Sequence, residues 1–247
     1  MSSSDFLAQF RNALRHWWPQ TSERRGWAAA SIELAQVLWG FMRDSTPERR
    51  RSRYGDMEYD WEHHVNTTSG TVGWRARLLG VFNSPYQPTD PALFREMMAS
   101  LPIDFSEFTF VDLGSGKGRT LLMASEYRFR RIVGVEILPE LHRAAEENIR
   151  AYKSATQQCR QIESVCADAS EFSLPNEPLV LYLFNPLPAA SLRHVIGVLA
   201  PRKHQGAAPL WVVYHNPLLG EVLSDAAFLA QILKTEQFAV YRANWND

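Results

Sequence analysis

The sequence predicts an α/β fold: a seven-stranded, mostly parallel sheet with helices on both faces, preceded by a helical and irregular N-terminal cap. From residue 89 onwards, short apolar runs alternate with amphipathic helical segments, the pattern of a parallel sheet with crossover helices. A glycine-rich turn joins the first apolar run, residues 108–113, to a helical segment. We therefore predict a cap at residues 1–88 and an α/β domain at residues 89–247.

Composition narrows the function classes. The chain has 247 residues and a formal net charge of −1 at pH 7, so no overall field attracts nucleic acid or a membrane. The N-terminus lacks the basic start and apolar core of a signal peptide, and Cys159 and Cys166 fit the reduced thiols of a cytoplasmic protein. We expect a cytoplasmic protein with no membrane partner, and we do not expect nucleic acid as the substrate, although the charge alone does not exclude it.

The cap contains two predicted helices, at residues 6–18 and 27–42, which carry four tryptophans. We expect these helices to pack against the α/β domain or against a second copy in a homodimer. A membrane-surface helix is the alternative, but the polar face lacks the lysine and arginine that such helices carry. Residues 54–91 have little periodicity and many polar and aromatic side chains, so we interpret them as a lid, with Tyr86 and Thr89 near the site.

The glycine-rich turn follows a buried strand at residues 108–113, which carries Asp112 near its end. Glycine permits a sharp turn and the close approach of a ligand, and the next helix directs its free N–H groups at that ligand. A dinucleotide fingerprint would need a third glycine where Arg119 stands, and the spacing of a P-loop is absent, so the pattern is D-x-G-x-G-x-G. The turn consists of Gly114, Ser115, Gly116, Lys117 and Gly118.

The next three strands each end in a polar residue. Glu136 follows Gly114 by 22 positions, near the ~20-residue spacing at which an acid binds ribose hydroxyls in Rossmann folds. Because the carboxyl ends of parallel strands lie on one edge of a sheet, we expect the three polar residues to share one site. The strands and their polar residues are 131–137 with Glu136, 162–167 with Asp168, and 179–184 with Asn185.

The remaining segments complete the α/β pattern. Asp90 followed by Pro91 is the start signal of a helix. His215 follows a further strand and is itself followed by Asn-Pro, as the strand at residues 179–184 is. The other predicted elements are helices from residue 119, at 140–152 and at 191–199, and strands at 210–214, 229–235 and 238–242, with the last pair antiparallel.

These motifs together resemble the class I S-adenosylmethionine (SAM) methyltransferases, over residues 89–247. The strings FVDLGSGKGR, GVE and NP are also similar to a bacterial group of uncharacterised methyltransferases and, more remotely, to seven-strand protein-lysine methyltransferases including the Dot1 type. Families that methylate exocyclic or amide nitrogens often carry [DN]-P-P-[YF], whereas Asn185 is followed here by Pro186, Leu187 and Pro188. The acceptor atom therefore does not follow from this motif.

The resemblance implies a Rossmann-like fold, SAM as the cofactor, S-adenosylhomocysteine as the product, and no metal. It places Asp168 on the adenine amino group, and the spacing given above places Glu136 on the ribose. Lys117, at the N-terminus of the next helix, is expected to hold the SAM carboxylate, with a solvated lysine as the alternative. Asn185 orients the acceptor beside the methyl group. For His215 we expect one of two roles: a general base if the acceptor starts protonated, or a purely structural hydrogen bond, which we favour. The expected cofactor-binding residues are Asp112, Gly114, Ser115, Gly116, Lys117, Gly118, Glu136, Asp168, Asn185 and Thr89, and the expected catalytic residues are Asn185, His215 and Tyr86.

The predicted activity is methyl transfer from SAM to a nucleophilic nitrogen or oxygen of a small molecule. The lid-like stretch before the domain favours an enclosed acceptor of modest size. Two alternatives stay open: a methyltransferase acting on a protein side chain such as lysine, and a SAM-binding scaffold protein without catalysis.

Overall fold

The computed structural model describes residues 57–68, 87–200 and 208–245, together with residues 11, 15, 26, 27, 31 and 202. The chain divides into two compact units, one formed by residues 1–58 and 68–87 and the other by residues 59–67 and 88–247. The helices predicted in the cap, apart from isolated positions, and Tyr86 lie outside the described residues. The homodimer through those helices and the boundary at residue 88 stay predictions.

A seven-stranded sheet forms the second unit. Its strands are β1 (Thr109–Leu113), β2 (Arg131–Glu136), β3 (Ile162–Cys166), β4 (Leu179–Leu183), β5 (Leu210–His215), β6 (Leu229–Lys234) and β7 (Phe238–Ala243). The strand order is β3-β2-β1-β4-β5-β7-β6; neighbours from β3 to β5 pair in parallel, and β7 pairs antiparallel with β5 and β6. This confirms the predicted Rossmann-like, mostly parallel sheet with an antiparallel last pair.

Helices cover both faces of the sheet, because β1 buries alternate side chains on opposite sides. Phe110 packs with Phe94 and Met97 in one apolar cluster, whereas Val111 packs with Leu192 and Ile196 in the other. The helices are α1 (Met57–His63), α2 (Pro91–Ala99), α3 (Arg119–Ala124), α4 (Pro139–Ala151), α5 (Ala189–Leu199) and α6 (Gly220–Ser224). None of the helices described above combines the length and the apolar character that a membrane-spanning segment requires.

Local sequence signals explain the start of α2 but not α1. Asp90 caps α2 by accepting a hydrogen bond of 2.9 Å from the Leu93 N–H, and Pro91 occupies the first turn, as predicted. By contrast, α1 lies in a stretch for which the sequence predicts no regular element. This helix has only seven residues, too few to show a period, and it ends at His63, directly before His64, whose φ is 57°.

The site is positioned by the reversal of strand order at β1. The chain runs from β1 to β2 and β3 on one side and returns to β4 and β5 on the other. Open α/β sheets bind ligands at such a switch point, in the crevice outside the carboxyl ends of the strands. The ends of β1, β2, β4 and β5 therefore define the candidate site.

Candidate active site

The glycine-rich turn is held against β2 by its backbone. The N–H groups of Gly114 and Ser115 both donate to the Val135 carbonyl, at 2.8 and 3.0 Å. Gly114, Gly116 and Gly118 have φ values of 84°, 57° and 81°, in the left-handed region that favours glycine. A Cβ on Gly114 would lie 2.7 Å from the Pro186 Cβ. The turn therefore requires glycine at its first position for two independent reasons.

Glu136 joins the end of β2 to this turn. Its Oε2 accepts a hydrogen bond of 2.9 Å from the Gly116 N–H, and its Oε1 accepts one of 2.8 Å from the Leu138 N–H. The side chain is buried, and burial raises the pKa of its carboxyl, while the backbone donors oppose that shift. Each carboxylate oxygen has capacity for a further hydrogen bond. Glu136 is thus a buried acceptor group at the edge where a ligand would bind.

Asp112 is a second buried carboxyl at the same edge. It lies on β1 beside Gly134 of β2 and Tyr182 of β4, and it accepts a hydrogen bond from the Thr120 hydroxyl. Burial raises the pKa of Asp112 to about 7, the Thr120 hydroxyl lowers it, and the charge of Glu136 raises it further. Asp112 therefore titrates near neutral pH in the folded protein.

Residues 59–67, which we call the strap, bind the start of α3 through a buried ion pair. Arg119 Nη2 lies 3.1 Å from Asp60 Oδ1, and both side chains are buried, with 2% and 7% exposed. Arg119 Nε also donates to Thr67 Oγ1 at 2.6 Å, and the guanidinium lies 5.0 Å from the centre of the Tyr59 ring. The Thr67 N–H donates to Asp60 Oδ2 at 2.7 Å. Arg119, which replaces the third glycine of a dinucleotide fingerprint, is therefore a buried anchor.

The strap also holds the glycine-rich turn itself through Asn66 and Asn148. The Asn148 amide donates to the carbonyls of Asn66 and Lys117, each at 3.0 Å, and accepts from the Asn66 N–H at 2.7 Å. Lys117 Nζ donates to Asn66 Oδ1 at 3.3 Å. Lys117 is only 3% exposed, so it is not a solvated lysine. The backbone that follows Gly116 is thereby fixed at Lys117.

Two Asn-Pro pairs link the ends of β4 and β5. Asn185 and Asn216 have φ values of 46° and 48°, which asparagine tolerates better than most residues. Asn185 Nδ2 donates to the Asn216 carbonyl at 2.7 Å, and the Tyr214 hydroxyl donates to Asn185 Oδ1 at 2.8 Å. The Asn185 side chain thus holds the two strand ends together.

A chain of buried polar groups leads from the start of α2 to the end of β5. Thr89 Oγ1 lies 2.8 Å from Tyr182 Oη, which lies 2.9 Å from His215 Nδ1. The His215 ring stacks on Phe184, with 3.8 Å between ring centres. Burial lowers the pKa of His215 to about 4, while the charge of Asp90 opposes the shift, so the imidazole is neutral at pH 7.

Asp168 and Ile137 lie at the ends of β3 and β2. Asp168 is exposed, and its Oδ1 accepts hydrogen bonds from the N–H and hydroxyl of Ser170, at 2.8 and 2.7 Å. Ile137, directly after Glu136, is 48% exposed, which is unusual for a large apolar residue. An exposed apolar side chain beside a buried acid suits a ligand with an apolar ring and hydroxyl groups.

The arrangement fits an adenosyl cofactor at the ends of β1 and β2. The three positive-φ glycines form a turn that admits a ligand closely, Glu136 offers acceptor capacity, and Ile137 offers an apolar surface. The Ser115 hydroxyl is buried and has no hydrogen-bond partner among the described residues. Within the described ranges, no group of three or more His, Cys, Asp or Glu side chains is arranged to hold a metal ion.

Sequence reasoning missed Arg119 and Tyr182 as site residues. Thr67 stands in a polar run that the sequence marks as a binding surface, but nothing in the sequence pairs it with Arg119 across 52 positions. In the sequence, nothing distinguishes Tyr182 from the apolar residues around it in a buried strand. The exposed Ile137 had a usable signal, because it is an apolar residue directly after the strand-ending acid.

The strand order and the glycine-rich turn define a Rossmann-like fold, and one family model matches part of the chain. The profile of the family "Histone methylation protein DOT1" matches residues 82–162, about a third of the chain. This match and the strand order confirm the resemblance to class I methyltransferases and support SAM as the cofactor. No sequence among the curated proteins matches the chain.

Solved structures with a similar fold come from several methyltransferase types. An RNA methyltransferase from Salinibacter ruber in complex with S-adenosyl-L-homocysteine is 23% identical, with 64% of this chain and 92% of that chain covered and a TM-score of 0.44. A predicted N6-adenine-specific DNA methylase from Listeria monocytogenes is 13% identical, with 64% and 51% covered and a TM-score of 0.47. Magnesium protoporphyrin IX methyltransferase from Synechocystis with bound SAM is 13% identical, with 62% and 76% covered and a TM-score of 0.39.

Proposed function

We propose that this chain transfers a methyl group from SAM to a nucleophilic nitrogen or oxygen of a small-molecule acceptor and releases S-adenosylhomocysteine. The observation that carries the proposal is the buried Glu136 carboxylate, bonded to the Gly116 N–H within a turn of three positive-φ glycines at the switch point of the sheet. Bound SAM supplies an activated methyl group on a sulfonium, so the protein needs mainly to position the acceptor and exclude water.

The cofactor contacts are assigned from the groups that the strand ends present. Glu136 accepts the ribose hydroxyls with its remaining lone pairs, and Ile137 packs on the adenine. Asp168 uses Oδ2 for the adenine amino group, because Oδ1 holds Ser170. Lys117 binds the carboxylate of the methionine part. Asp112, Gly114, Ser115, Gly116, Gly118 and Thr89 shape the methionine and ribose region.

The acceptor lies at the ends of β4 and β5 in this proposal. The side-chain amide of Asn185 already bonds Tyr214 and Asn216, so Asn185 contributes mainly its backbone carbonyl to orient an acceptor N–H or O–H. His215 lies beside it, stacked on Phe184. The catalytic role of Tyr86 stays a prediction, as does the cytoplasmic location.

Methylation of a protein side chain is the second candidate, and the match to the DOT1 family favours it. The small-molecule preference finds no support in the comparisons, and neither does the expectation against nucleic acid, because the similar structures include RNA and DNA methyltransferases. The three acceptor classes are therefore tested against one another. A scaffold role without catalysis predicts cofactor binding without label transfer to any of them.

Calorimetry with SAM, S-adenosylhomocysteine and NAD on the wild type and Glu136→Gln tests the cofactor. We expect the wild type to bind both sulfur ligands and not NAD. Loss of a charge-assisted hydrogen bond costs about 1.5–3 kcal/mol, so the variant should bind S-adenosylhomocysteine roughly 10–100-fold more weakly. Glu163→Gln, at an exposed site on β3, is the matched control and should bind normally. A folded wild type that binds neither sulfur ligand contradicts the proposal.

Label transfer from SAM with an isotopic methyl group identifies the acceptor class. The enzyme is incubated with a cell extract that has been separated into metabolites, proteins and nucleic acids. The proposal expects label in the metabolite fraction, dependent on Glu136. Label in the protein fraction instead would favour the second candidate, and label in nucleic acid would overturn both.

A further inference from the structure

In the polar chain Thr89–Tyr182–His215, hydrogen-bond chemistry determines which group donates and which accepts at each link. Its two links measure 2.8 and 2.9 Å, and all three residues are buried. The Tyr182 hydroxyl carries one hydrogen but lies within hydrogen-bond distance of two partners. That hydrogen therefore goes either to His215 Nδ1 or to Thr89 Oγ1, and the choice fixes which imidazole nitrogen carries its own hydrogen.

The hydrogen of Tyr182 goes to His215. A phenol is a much stronger acid than the N–H of a neutral imidazole, and an imidazole nitrogen is a much stronger base than a phenol oxygen. Tyr182 O–H therefore donates to Nδ1, and the Thr89 hydroxyl donates to the Tyr182 oxygen. Since the imidazole is neutral and Nδ1 accepts, the hydrogen of His215 is on Nε2.

The surroundings of His215 keep this arrangement. Phe184 covers one face of the ring, and among the residues described no carboxylate bonds to either nitrogen. The charged or titratable groups that face the chain are Asp90, near His215, and Asp112, near Tyr182. Nε2 bonds to none of the described residues, and His215 lies at the end of β5 beside the end of β4. Nε2–H is thus a donor directed away from the polar chain.

We propose that Tyr182 is a positioning residue that fixes the Nε2–H tautomer of His215, so that His215 donates a hydrogen bond to an oxygen of the methyl acceptor and is not a general base. This inference rests on the proposed function. It defines the acceptor further: the molecule carries a carbonyl, carboxylate or similar oxygen near the methylated atom. An Nε2–H group facing the nucleophile itself would occupy the lone pair that must attack, so the bonded oxygen is a different atom.

The tautomer is measured directly by 15N NMR of the histidine ring. We expect wild-type His215 to show Nε2 protonated and Nδ1 unprotonated at pH 7. In Tyr182→Phe the 15N chemical shifts of Nδ1 and Nε2 of His215 should move towards each other, because both tautomers are then populated. Tyr241→Phe removes a buried hydroxyl that bonds the Gly220 carbonyl and is the matched control; its His215 signals should match the wild type. Protonated Nδ1 in the wild type overturns the inference.

Variants of His215 separate a donor from a base. Glutamine keeps an N–H donor but takes no proton, whereas leucine does neither. In the label-transfer assay with cell extract, His215→Gln should keep at least a tenth of the wild-type rate, and His215→Leu should lose at least tenfold more. Equal loss in the two variants overturns the donor role. Both should bind S-adenosylhomocysteine as the wild type does, since they lie on the acceptor side.

Different results would contradict the proposed methyl transfer and the inference about His215. A wild type that does not bind S-adenosylhomocysteine overturns the proposed function and, with it, any role of His215 towards a methyl acceptor. Normal binding with the wrong tautomer, or with equal loss in the two His215 variants, overturns this inference alone.

Discussion

The two halves of the site are built from different kinds of polar group. At the ends of β1 and β2 and in the strap, which we call the cofactor side after the proposed function, five of the buried polar groups are ionisable: Asp60, Asp112, Lys117, Arg119 and Glu136. At the ends of β4 and β5, which we call the acceptor side after the proposed function, the polar groups are neutral or kept neutral: the buried Thr89, Tyr182, Tyr214 and His215, and the half-buried Asn185. Ionisable side chains characterise the cofactor side. The acceptor side depends instead on which atom of each hydrogen-bonded pair carries the hydrogen.

This difference has a physical consequence for each half. Buried charges are costly unless each has partners, so the cofactor side needs a network of hydrogen bonds and ion pairs. The strap supplies the partners of Arg119 and Lys117, whereas backbone N–H groups and the Thr120 hydroxyl bond Glu136 and Asp112. Neutral hydrogen-bonded groups cost less free energy to bury than charges do. They determine the orientation of their partners more than they add to the stability of the fold. We therefore expect substitutions on the cofactor side to affect folding and cofactor binding strongly, and those on the acceptor side to affect mainly the acceptor step.

The largest effect is expected from Asp60→Ala. It leaves the Arg119 guanidinium buried without its carboxylate, and breaking a buried pair in this way costs about 3–5 kcal/mol. It also removes the acceptor of the Thr67 N–H. Chemical denaturation should show that loss of unfolding free energy. Binding of S-adenosylhomocysteine should weaken at least tenfold, because Arg119 opens the helix that follows the glycine turn.

Arg131→Ala is the control for this prediction. Arg131 pairs with Glu177 at 3.3 Å at the other end of the sheet, but its side chain is 43% exposed. Such exposed pairs contribute about 0–1 kcal/mol. If both variants lost the same stability, the strap would be an ordinary surface contact and the contrast between the two halves would disappear.

The pH dependence of stability is the next largest effect, and it arises from Asp112. Its pKa is raised from 3.8 to about 7 by burial, so the folded protein keeps a proton that the unfolded chain has released. Its contribution to stability therefore falls as the pH rises from about 4 to about 7, by at most roughly 4 kcal/mol. Asp112→Asn should remove this fall, measured as unfolding free energy against pH.

Asp104→Asn is the matched control for the titration. The pKa of Asp104 is lowered by the Ser106 hydroxyl and N–H, so its contribution to stability is present at neutral pH and is lost on acidification. Asp104→Asn should therefore change the slope of the unfolding free energy against pH in the opposite direction to Asp112→Asn. His215 acts in that direction too, because its pKa is lowered to about 4. An unchanged slope in Asp112→Asn would contradict the assignment of Asp112.

Sequence reasoning reached the sheet and the strand-end positions of Asp112 and Glu136, because these depend on local patterns. Alternating apolar runs fix the strands, and the spacing from Gly114 to Glu136 places an acid at the next strand end. Residues such as Asp60 and Arg119 could not be paired in this way, since they meet only after the strap folds onto α3. The hydrogen bonds of Asn185 were out of reach for the same reason: Tyr214 and Asn216 belong to a neighbouring strand and its end.

Gly114→Ala tests the backbone of the cofactor side with a smaller cost. A left-handed alanine costs about 1–2 kcal/mol, and its Cβ would lie 2.7 Å from the Pro186 Cβ, which must shift. We expect a loss of about 2–3 kcal/mol and weaker binding of S-adenosylhomocysteine. Gly197→Ala is the control, because Gly197 lies in α5 with nothing within 4 Å of an added Cβ, and alanine there should stabilise by up to about 1 kcal/mol.

The smallest effect is expected from Tyr214→Phe on the acceptor side. The change removes the hydrogen bond to Asn185 Oδ1 and the interaction with the Leu219 backbone, and it leaves the ring and the bond from Asn185 to Asn216 in place. A neutral hydrogen bond contributes about 0.5–1.5 kcal/mol, so thermal unfolding should shift only slightly. Binding of S-adenosylhomocysteine should stay within twofold of the wild type, whereas label transfer should fall, because the Asn185 carbonyl loses its fixed direction. A drop in cofactor binding as large as that of Gly114→Ala would mean that the two halves do not work independently.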